Sequence, residues 1–246
     1  MILLDDKKGN EKYINQMFTT RASNYENDAD WIKNEEFILP LVPKPFGTNR
    51  LLDVCSGTGV IAKYCKQIGW NVVAVDINED MLDHVGQNIE KVVGNAERLP
   101  FSDKCFDAAI CRQGLQYTDL EKSISEIIRV TKNEIRLAHI TIIDKMDKDF
   151  WDRYYSIASP SRKHVFSPDY INDFVSNIGL ELICHEVTIE ADVLLKTISF
   201  LDLQKQEELL AMINNSTLEF KERNGIIFDG DVIISNRRWE FLTYKI

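Results

Sequence analysis

The chain reads as an α/β fold, doubly wound around a mostly parallel sheet. Three observations predict it. Short apolar runs alternate with helical patterns from residue 50 to residue 144. The first runs, "RLLDVC" and "NVVAVD", are nearly continuous in apolar residues, as strands covered on both faces are. The turn after the first run carries a glycine pair, "DVCSGTG". Strands alternating with helices imply crossover connections and parallel pairing.

Taken in order, residues 10–39 read as two helices. "EKYINQMFTTRASNY" places Tyr13, Met17 and Phe18 near one face. "DADWIKNEEFILP" places Trp31, Ile32, Glu35 and Ile38 at helical spacing, with acidic caps and a stop at Pro40. "PLVPKPFGTN" holds three prolines and a glycine and reads as a loop. After the first strand, "TGVIAKYCKQIG" is a helix closed by Gly69. After the second, "NEDMLDHVGQN" is a helix with Asn78 as N-cap. "EKVVGN" and "FDAAICR" are strands three and four. "DLEKSISEIIRVT" is a helix capped by Asp119 that buries Ile124, Ile127 and Ile128. "EIRLAHITIID" is strand five.

Beyond Asp144 the alternation stops. "DKDFWDRYYSIAS" and "SPDYINDFVSNIG" read as helices, "LELICHEVTIE" as a long strand, and residues 192–223 as helical. "GIIFDGDVIIS" has the Asp-Gly signal of a hairpin, and "RWEFLTYKI" is a closing strand. One domain is expected over residues 1–246. It divides into a helical cover (10–39), a cofactor-binding core (50–144), substrate-side helices with a strand at 180–190 (145–224), and a C-terminal hairpin and strand (225–246).

Composition narrows the function. A net charge of -10 repels a phosphate backbone, so no nucleic-acid partner is expected. No apolar run approaches the roughly 20 residues that span a bilayer, and "MILLDDKKGNEKY" has neither a secretory nor a transit pattern. A cytoplasmic protein, off the membrane and monomeric or homodimeric, is expected. The cysteines Cys55, Cys65, Cys105, Cys111 and Cys184 form no CxxC pair, and no His or Cys pair has zinc-ligand spacing. Reduced thiols and no metal follow.

In an open parallel sheet, ligands bind beyond the carboxyl ends of the strands, where the strand order reverses. Gly57 and Gly59 permit a tight turn and close approach there. An isolated GxG is a weak signal, equally read as a turn without ligand. Asp76 strengthens it. It ends the second strand, 17 residues past Gly59, where a carboxylate accepts from ribose hydroxyls or caps a helix. Asp53, just before the turn, would repel a pyrophosphate but orients the loop or pairs with an ammonium. No lysine follows the loop as in a P-loop. A ligand with ribose and an amine, without phosphate, fits better than NAD or ATP.

These segments together resemble class I S-adenosylmethionine (SAM)-dependent methyltransferases, most closely the small-molecule branch that includes the ubiquinone and menaquinone C-methyltransferases. "LLDVCSGTG" is similar to the family's first motif and "VVAVDINEDML" to its second. "VVGNAERLPFSDKCFDAAICRQGLQYTDLEKSISEIIRV" resembles strands three and four with their connections. "FTTRASNYE" resembles the N-terminal segment whose tyrosine leans over the cofactor, and "FSPDYINDFVSNIGLELI" the lead into strand six. The resemblance covers most of residues 16–143 and, more loosely, 166–190. It implies a seven-stranded Rossmann-like methyltransferase sheet with the last strand antiparallel, N-terminal helices, and a helical insertion as substrate cover.

It also implies residue roles. Asp53, Gly57 and Gly59 would shape the methionine end of the SAM pocket and Asp76 would bind the ribose. Ile77 and Met81 would pack on the adenine, and Asn95 and Ala96 would meet its edge. Arg112 and Gln113 would lie near the sulfonium, and Tyr25 would close over the cofactor. Three positions depart from the pattern. Cys55 stands where the family usually has glycine, and is accommodated only if its side chain turns into the sheet. Asn95 replaces the more usual aspartate. "VTKNEIRLA" replaces a Pro-Gly-Gly turn.

Methyl transfer to a small-molecule acceptor through O, N or C, with S-adenosylhomocysteine (SAH) as product, is the function so implied. It needs alignment of a nucleophile with the methyl more than a dedicated catalytic group. The base candidates are His164, in the loop "SPSRKHVFSP", and Asp144, at the end of strand five. His139 reads as a satisfied core histidine. Gln116 and Tyr117 follow strand four and face the substrate side. Trp151, Tyr154 and Tyr155 have helical spacing and read as core, or as the lining of an apolar pocket. The competing classes are a SAM enzyme of another reaction, such as a cyclisation, an NAD(P)-dependent oxidoreductase, and a non-catalytic protein that kept the fold.

Overall fold

A computed structural model describes residues 6–230 and 232–246. Residues 1–5, part of the stretch read above for targeting signals, lie outside the described residues. One sheet organises the chain. Its strands are β1 (Arg50–Val54), β2 (Asn71–Asp76), β3 (Glu90–Val93), β4 (Phe106–Arg112), β5 (Thr131–Thr141), β6 (Glu181–Val193), β7 (Ile227–Asp229) and β8 (Val232–Lys245). The order is β3-β2-β1-β4-β5-β8-β6, with β7 paired to β8. Strands β1 to β5 are parallel. β8 enters antiparallel to β5, and β6 runs antiparallel to β8. The expected doubly wound, mostly parallel sheet is therefore present, with eight strands where seven were expected. The eighth is β7, the short arm of the Asp-Gly hairpin.

Side chains on alternate positions divide between two cores, because successive strand residues point to opposite faces. Leu51, Val72, Ala108 and Ile110 face one layer together with α2 (Val60–Gln67). Leu52, Val73, Ala109 and Leu137 face the other, against α4 (Leu120–Val130) and α6 (Tyr170–Asn177). A third cluster joins Trp151 and Tyr154 of α5 (Lys148–Ala158) to α7 (Leu194–Ile198), α8 (Leu203–Asn214) and α9 (Leu218–Arg223). This helical annex occupies the 145–224 stretch expected to cover substrate. No helix among the described residues is long and apolar enough to cross a membrane.

Two local expectations are revised. α1 (Asp6–Arg21) forms, but the second N-terminal helix does not. Residues 25–41 are a string of four short 3-10 turns. The burial pattern explains why. Trp31, Ile32, Phe37, Ile38 and Leu41 are all buried while Glu35 is exposed. On one α-helix, positions 32 and 38 would point about 120° apart. The broken chain lets both pairs reach the sheet, where Trp31 and Phe37 pack on Trp239 at ring separations of 5.0 and 5.1 Å. The second revision lies at "VTKNEIRLA". α4 runs into β5 with no intervening turn. The helix-end carbonyls that a turn would otherwise satisfy are taken by Lys104. Its N–H donates to Arg129 O at 2.8 Å and its ammonium to Ile128 O and Thr131 O at 3.1 and 2.8 Å.

The annex is tied down by one buried carboxylate. Asp147 accepts two bonds from Arg223 at 2.8 and 2.6 Å and one from Asn224 Nδ2 at 2.8 Å. The Arg223 fork lowers the Asp147 pKa below its ordinary 3.8. A carboxylate depressed in the folded state contributes stability above its unfolded pKa and loses it as pH falls through the folded one. The Tm difference between wild type and Asp147→Asn, followed by circular dichroism, is therefore expected to be largest near pH 7 and to shrink as the pH drops below about 4.

Candidate functional site

The site lies where the strand order turns from β1 to β4. Register aligns Val54 with Val75 on one side and with Cys111 on the other. The carboxyl ends of three strands therefore open side by side, and the loop 55–59 sits among them. Its backbone is left-handed at Cys55, Gly57 and Gly59, with φ of 55°, 54° and 71°. At Gly59 a Cβ would lie 2.8 Å from Val85 Cγ2, so close packing as well as φ demands glycine.

Two carboxylates hold this loop. Asp76 Oδ2 accepts the Gly57 N–H at 2.8 Å and Oδ1 accepts the Asn78 N–H at 3.0 Å. Asp53 Oδ2 accepts the Ala62 N–H at 3.1 Å, in the first turn of α2. Ser56 N donates to Val75 O and Gly59 N to Ser56 O. The N–H groups of Ser56, Gly57 and Gly59 are thus spent within the protein. Burial raises the Asp76 carboxyl and pushes Asp53 up to about 7, with Arg112 opposing the shift at Asp53.

α1 roofs the site. Asn78, fully buried, donates from Nδ2 to Asn15 O and Thr19 Oγ1, both at 2.9 Å, and its Oδ1 accepts the Met81 N–H that caps α3 (Glu79–Asp83). Thr19 Oγ1 donates to Asp80, and Asn95 Nδ2 to Glu11 Oε1 at 2.7 Å. Arg112 fixes the 3-10 string. Its guanidinium donates to Ile32 O and Phe37 O at 3.0 and 3.3 Å and lies 5.0 Å over the Trp31 ring. Burial lowers the Arg112 pKa to about 10.

Between roof and sheet is a cavity of about 650 Å³. Its floor is Asp53 and residues 54–58. Asp76, Ile77, Met81, Asn95 and Ala96 form one side. Arg112, Gln113 and Tyr25 form the other, and Glu11, Ile14 and Phe18 the roof. The hydroxyls of Ser56 and Thr58, Trp31 Nε1 and Gln113 Nε2 are buried with no partner among the described residues. Each is an unpaired polar atom in a cavity wall, as expected where a polar ligand completes the bonding. A second cavity of about 160 Å³ adjoins it and shares Phe18, Tyr25, Trp31, Gln113 and Tyr117.

Comparison with known proteins agrees with this geometry. A methyltransferase domain model matches residues 52–138. The chain is 31% identical over 174 residues to the ubiquinone/menaquinone biosynthesis C-methyltransferase of Rickettsia typhi, covering 60% of this chain and 69% of that protein. The chain belongs to the class I SAM-dependent methyltransferase family. It is also 27% identical over 169 residues to the malonyl-[acyl-carrier protein] O-methyltransferase of Pectobacterium atrosepticum, covering 67% of this chain and 66% of the relative. The chain thus spans about two thirds of the length of these relatives. In fold it matches a protein of Bacillus halodurans C-125 taken to be a methyltransferase, with a TM-score of 0.77 at 19% identity over 88% of this chain and 98% of that one.

Within this methyltransferase fold, every residue expected at the cofactor lines the large cavity except Gly59, which acts one step back by admitting Val85. Tyr25 leans over the loop, its Cε1 3.8 Å from where a Gly57 Cβ would stand. Asn95 is already engaged, since its Oδ1 accepts the Glu97 N–H at 2.8 Å. His164 and Asp144 line neither cavity. His164 Nε2 meets Thr118 O at 3.1 Å and burial lowers its pKa. Asp144 accepts the Met146 N–H at 2.8 Å as a cap. His139 is buried 3.2 Å from Glu240. Gln116, Tyr117, Trp151, Tyr154 and Tyr155 all line the second cavity.

Sequence reading missed Glu11 and Ile14 of the roof, Glu97, and the strap Pro160, Ser161 and Lys163. The apolar stripe of Tyr13, Met17 and Phe18 was the available signal for α1. Nothing local in "PSRK" announces a wall of the site.

Cys55 answers to two neighbours. Its side chain turns against Cys111 and Gly114 within the sheet layer. The bond with the Cys111 thiol, then burial, raise its pKa, so it is a packed thiol and not a reactive one. A Cβ on Gly114 would fall 2.3 Å from Cys55 Cβ, and the next obstacle, Cys111 Sγ, is at 3.4 Å. Gly114→Ala is expected to cost about 1–3 kcal/mol in denaturant unfolding. In a Cys55→Gly background the same change is expected to cost less than about half of that. An equal cost in both backgrounds would show that the two positions do not compete for space.

Proposed function

We propose that this chain transfers the methyl group of SAM to a small-molecule acceptor in the cytoplasm, as a monomer or homodimer in which residues 1–246 act as one unit. The observation that carries this reading is the loop whose Ser56, Gly57 and Gly59 N–H groups are spent on Val75 O, Asp76 and Ser56 O, beside a cavity lined by Asp53, Asp76 and Arg112. Such a site suits a cationic, phosphate-free adenosyl ligand and not a pyrophosphate. Asp76 would hold the ribose, Ile77, Met81 and Ala96 the adenine, and Asp53 with Arg112 and Gln113 the methionyl end.

SAM when bound supplies an activated methyl for in-line displacement, with SAH released. The chain's part is alignment and exclusion of water. Phe18, Tyr25, Trp31, Gln113 and Tyr117 surround the junction of the two cavities, so the acceptor approaches through the smaller one. Among the described lining residues there is no histidine. Position and desolvation are the chain's contribution to activating the acceptor's nucleophile in this reading.

Removing the Asp76 carboxylate frees the Gly57 N–H and removes the ribose acceptor together. Asp76→Ala is expected to weaken SAM binding by more than about tenfold in calorimetry. A change within about twofold would dismiss the ribose assignment. Asp53 gives a pH signature. Its carboxyl, at about 7 in the free protein, is ionised only on the alkaline side, where it attracts the cationic methionyl end. SAM affinity is expected to fall as pH drops from 8 to 6, and Asp53→Asn to flatten that dependence.

A further inference from the structure

The second cavity has a charge pattern that the methyl-transfer reading does not require. The chain carries a net charge of -10, yet the ionisable residues lining this cavity are Arg21, Arg162 and Arg237 against the single acid Asp28. Two of the arginines are matched. Arg21 pairs with Asp28 at 2.8 Å, and Arg237 pairs with the buried Asp192. Arg162 has no carboxylate partner among the described residues. Its Nε donates to the His164 carbonyl at 2.8 Å, and its guanidinium lies over Tyr155, 4.1 Å from the ring centre. Tyr154 lines the same cavity, and its buried hydroxyl has no hydrogen-bond partner among the described residues.

An unmatched cation on an aromatic shelf, in a cavity that also holds an orphaned buried hydroxyl, is a site for an anion. Size adds a second limit. An apolar cavity of about 150 Å³ admits benzene, and this one measures about 160 Å³. Ile140, Ile142, Val165 and Phe166 give it apolar walls, and Gln116, Thr141 and Asn236 are among its polar ones.

We propose that the acceptor is a ring-sized organic anion, its carboxylate or phosphoryl group held by Arg162 and its apolar body directed toward the junction with the cofactor cavity. Arg162 is then the residue that selects the acceptor. This rests on the methyl-transfer reading for the name acceptor, but the binding preference is measured on its own.

The test is calorimetric titration of the protein, free and saturated with SAH, with benzoate, phenylacetate and phenyl phosphate, and with the neutral benzamide and phenylacetamide. At least one anion is expected to bind about tenfold more tightly than the amides. Preference for the two carboxylates or for phenyl phosphate identifies the anionic group. Arg162→Gln is expected to bring acid and amide within about threefold, with SAH affinity unchanged. Amides binding as well as acids, no anion binding in either state, or a preference that survives Arg162→Gln would each overturn the proposal. Failure of SAH to bind, with the anion preference intact on the free protein, overturns the methyl-transfer reading and leaves the anion site standing.

Discussion

The cofactor end of the molecule depends on one carboxylate. Asp76 accepts the Gly57 N–H with one oxygen and the Asn78 N–H with the other. The first bond closes the glycine loop against the end of β2. The second sets Asn78, whose side chain caps α3 and clasps the backbone and a hydroxyl of α1. Loop, helix cap and roof are thus in register because a single acidic side chain stands at the end of a buried strand. Its burial raises its pKa, so the ionised form is held by the two N–H dipoles and by whatever hydroxyls a ligand adds.

The loop also shows how a departure from a pattern is absorbed. Left-handed backbone at Cys55 explains why glycine is the usual choice there. The chain tolerates a side chain because Gly114, on the far side of the sheet layer, leaves the volume that Cys55 fills. The compensation lies 59 positions away in the chain and reaches Cys55 only because β1 and β4 are neighbours. The thiol bonds to Cys111, while Cys55 still forms part of the cavity floor.

The two cavities differ in what built them. The larger one is made by strand ends and the first turns of helices, which the order of a doubly wound sheet brings together. The smaller one is made by the helical annex, by the 3-10 string and by Trp151, Tyr154 and Tyr155, whose spacing read equally as core and as pocket. Both readings hold, because α5 buries one side of these rings in the annex and presents the other to the cavity. Of the base candidates, His164 stands in the loop "SPSRKHVFSP" and Asp144 just past the end of β5. Their side chains instead satisfy a carbonyl and a helix cap.

The sequence by itself determined the alternation of strands and helices and the parallel core, through local signals: apolar runs, glycines at a turn, an acid at a strand end. The same signals marked Asp53, Gly57 and Asp76, whereas Ile77, Met81, Asn95, Ala96, Arg112 and Gln113 followed from the resemblance of motifs. Only the tertiary structure decided the break-up of residues 25–41 into 3-10 turns, the replacement of a turn by Lys104, and the roof contributed by Glu11 and Ile14. It alone decided the unmatched charge of Arg162. The physical reason is common to them. Each depends on what lies across the sheet or the cavity, a Trp239 ring, a helix-end carbonyl, an asparagine or an absent carboxylate, and no spacing along the chain encodes a neighbour that arrives only on folding.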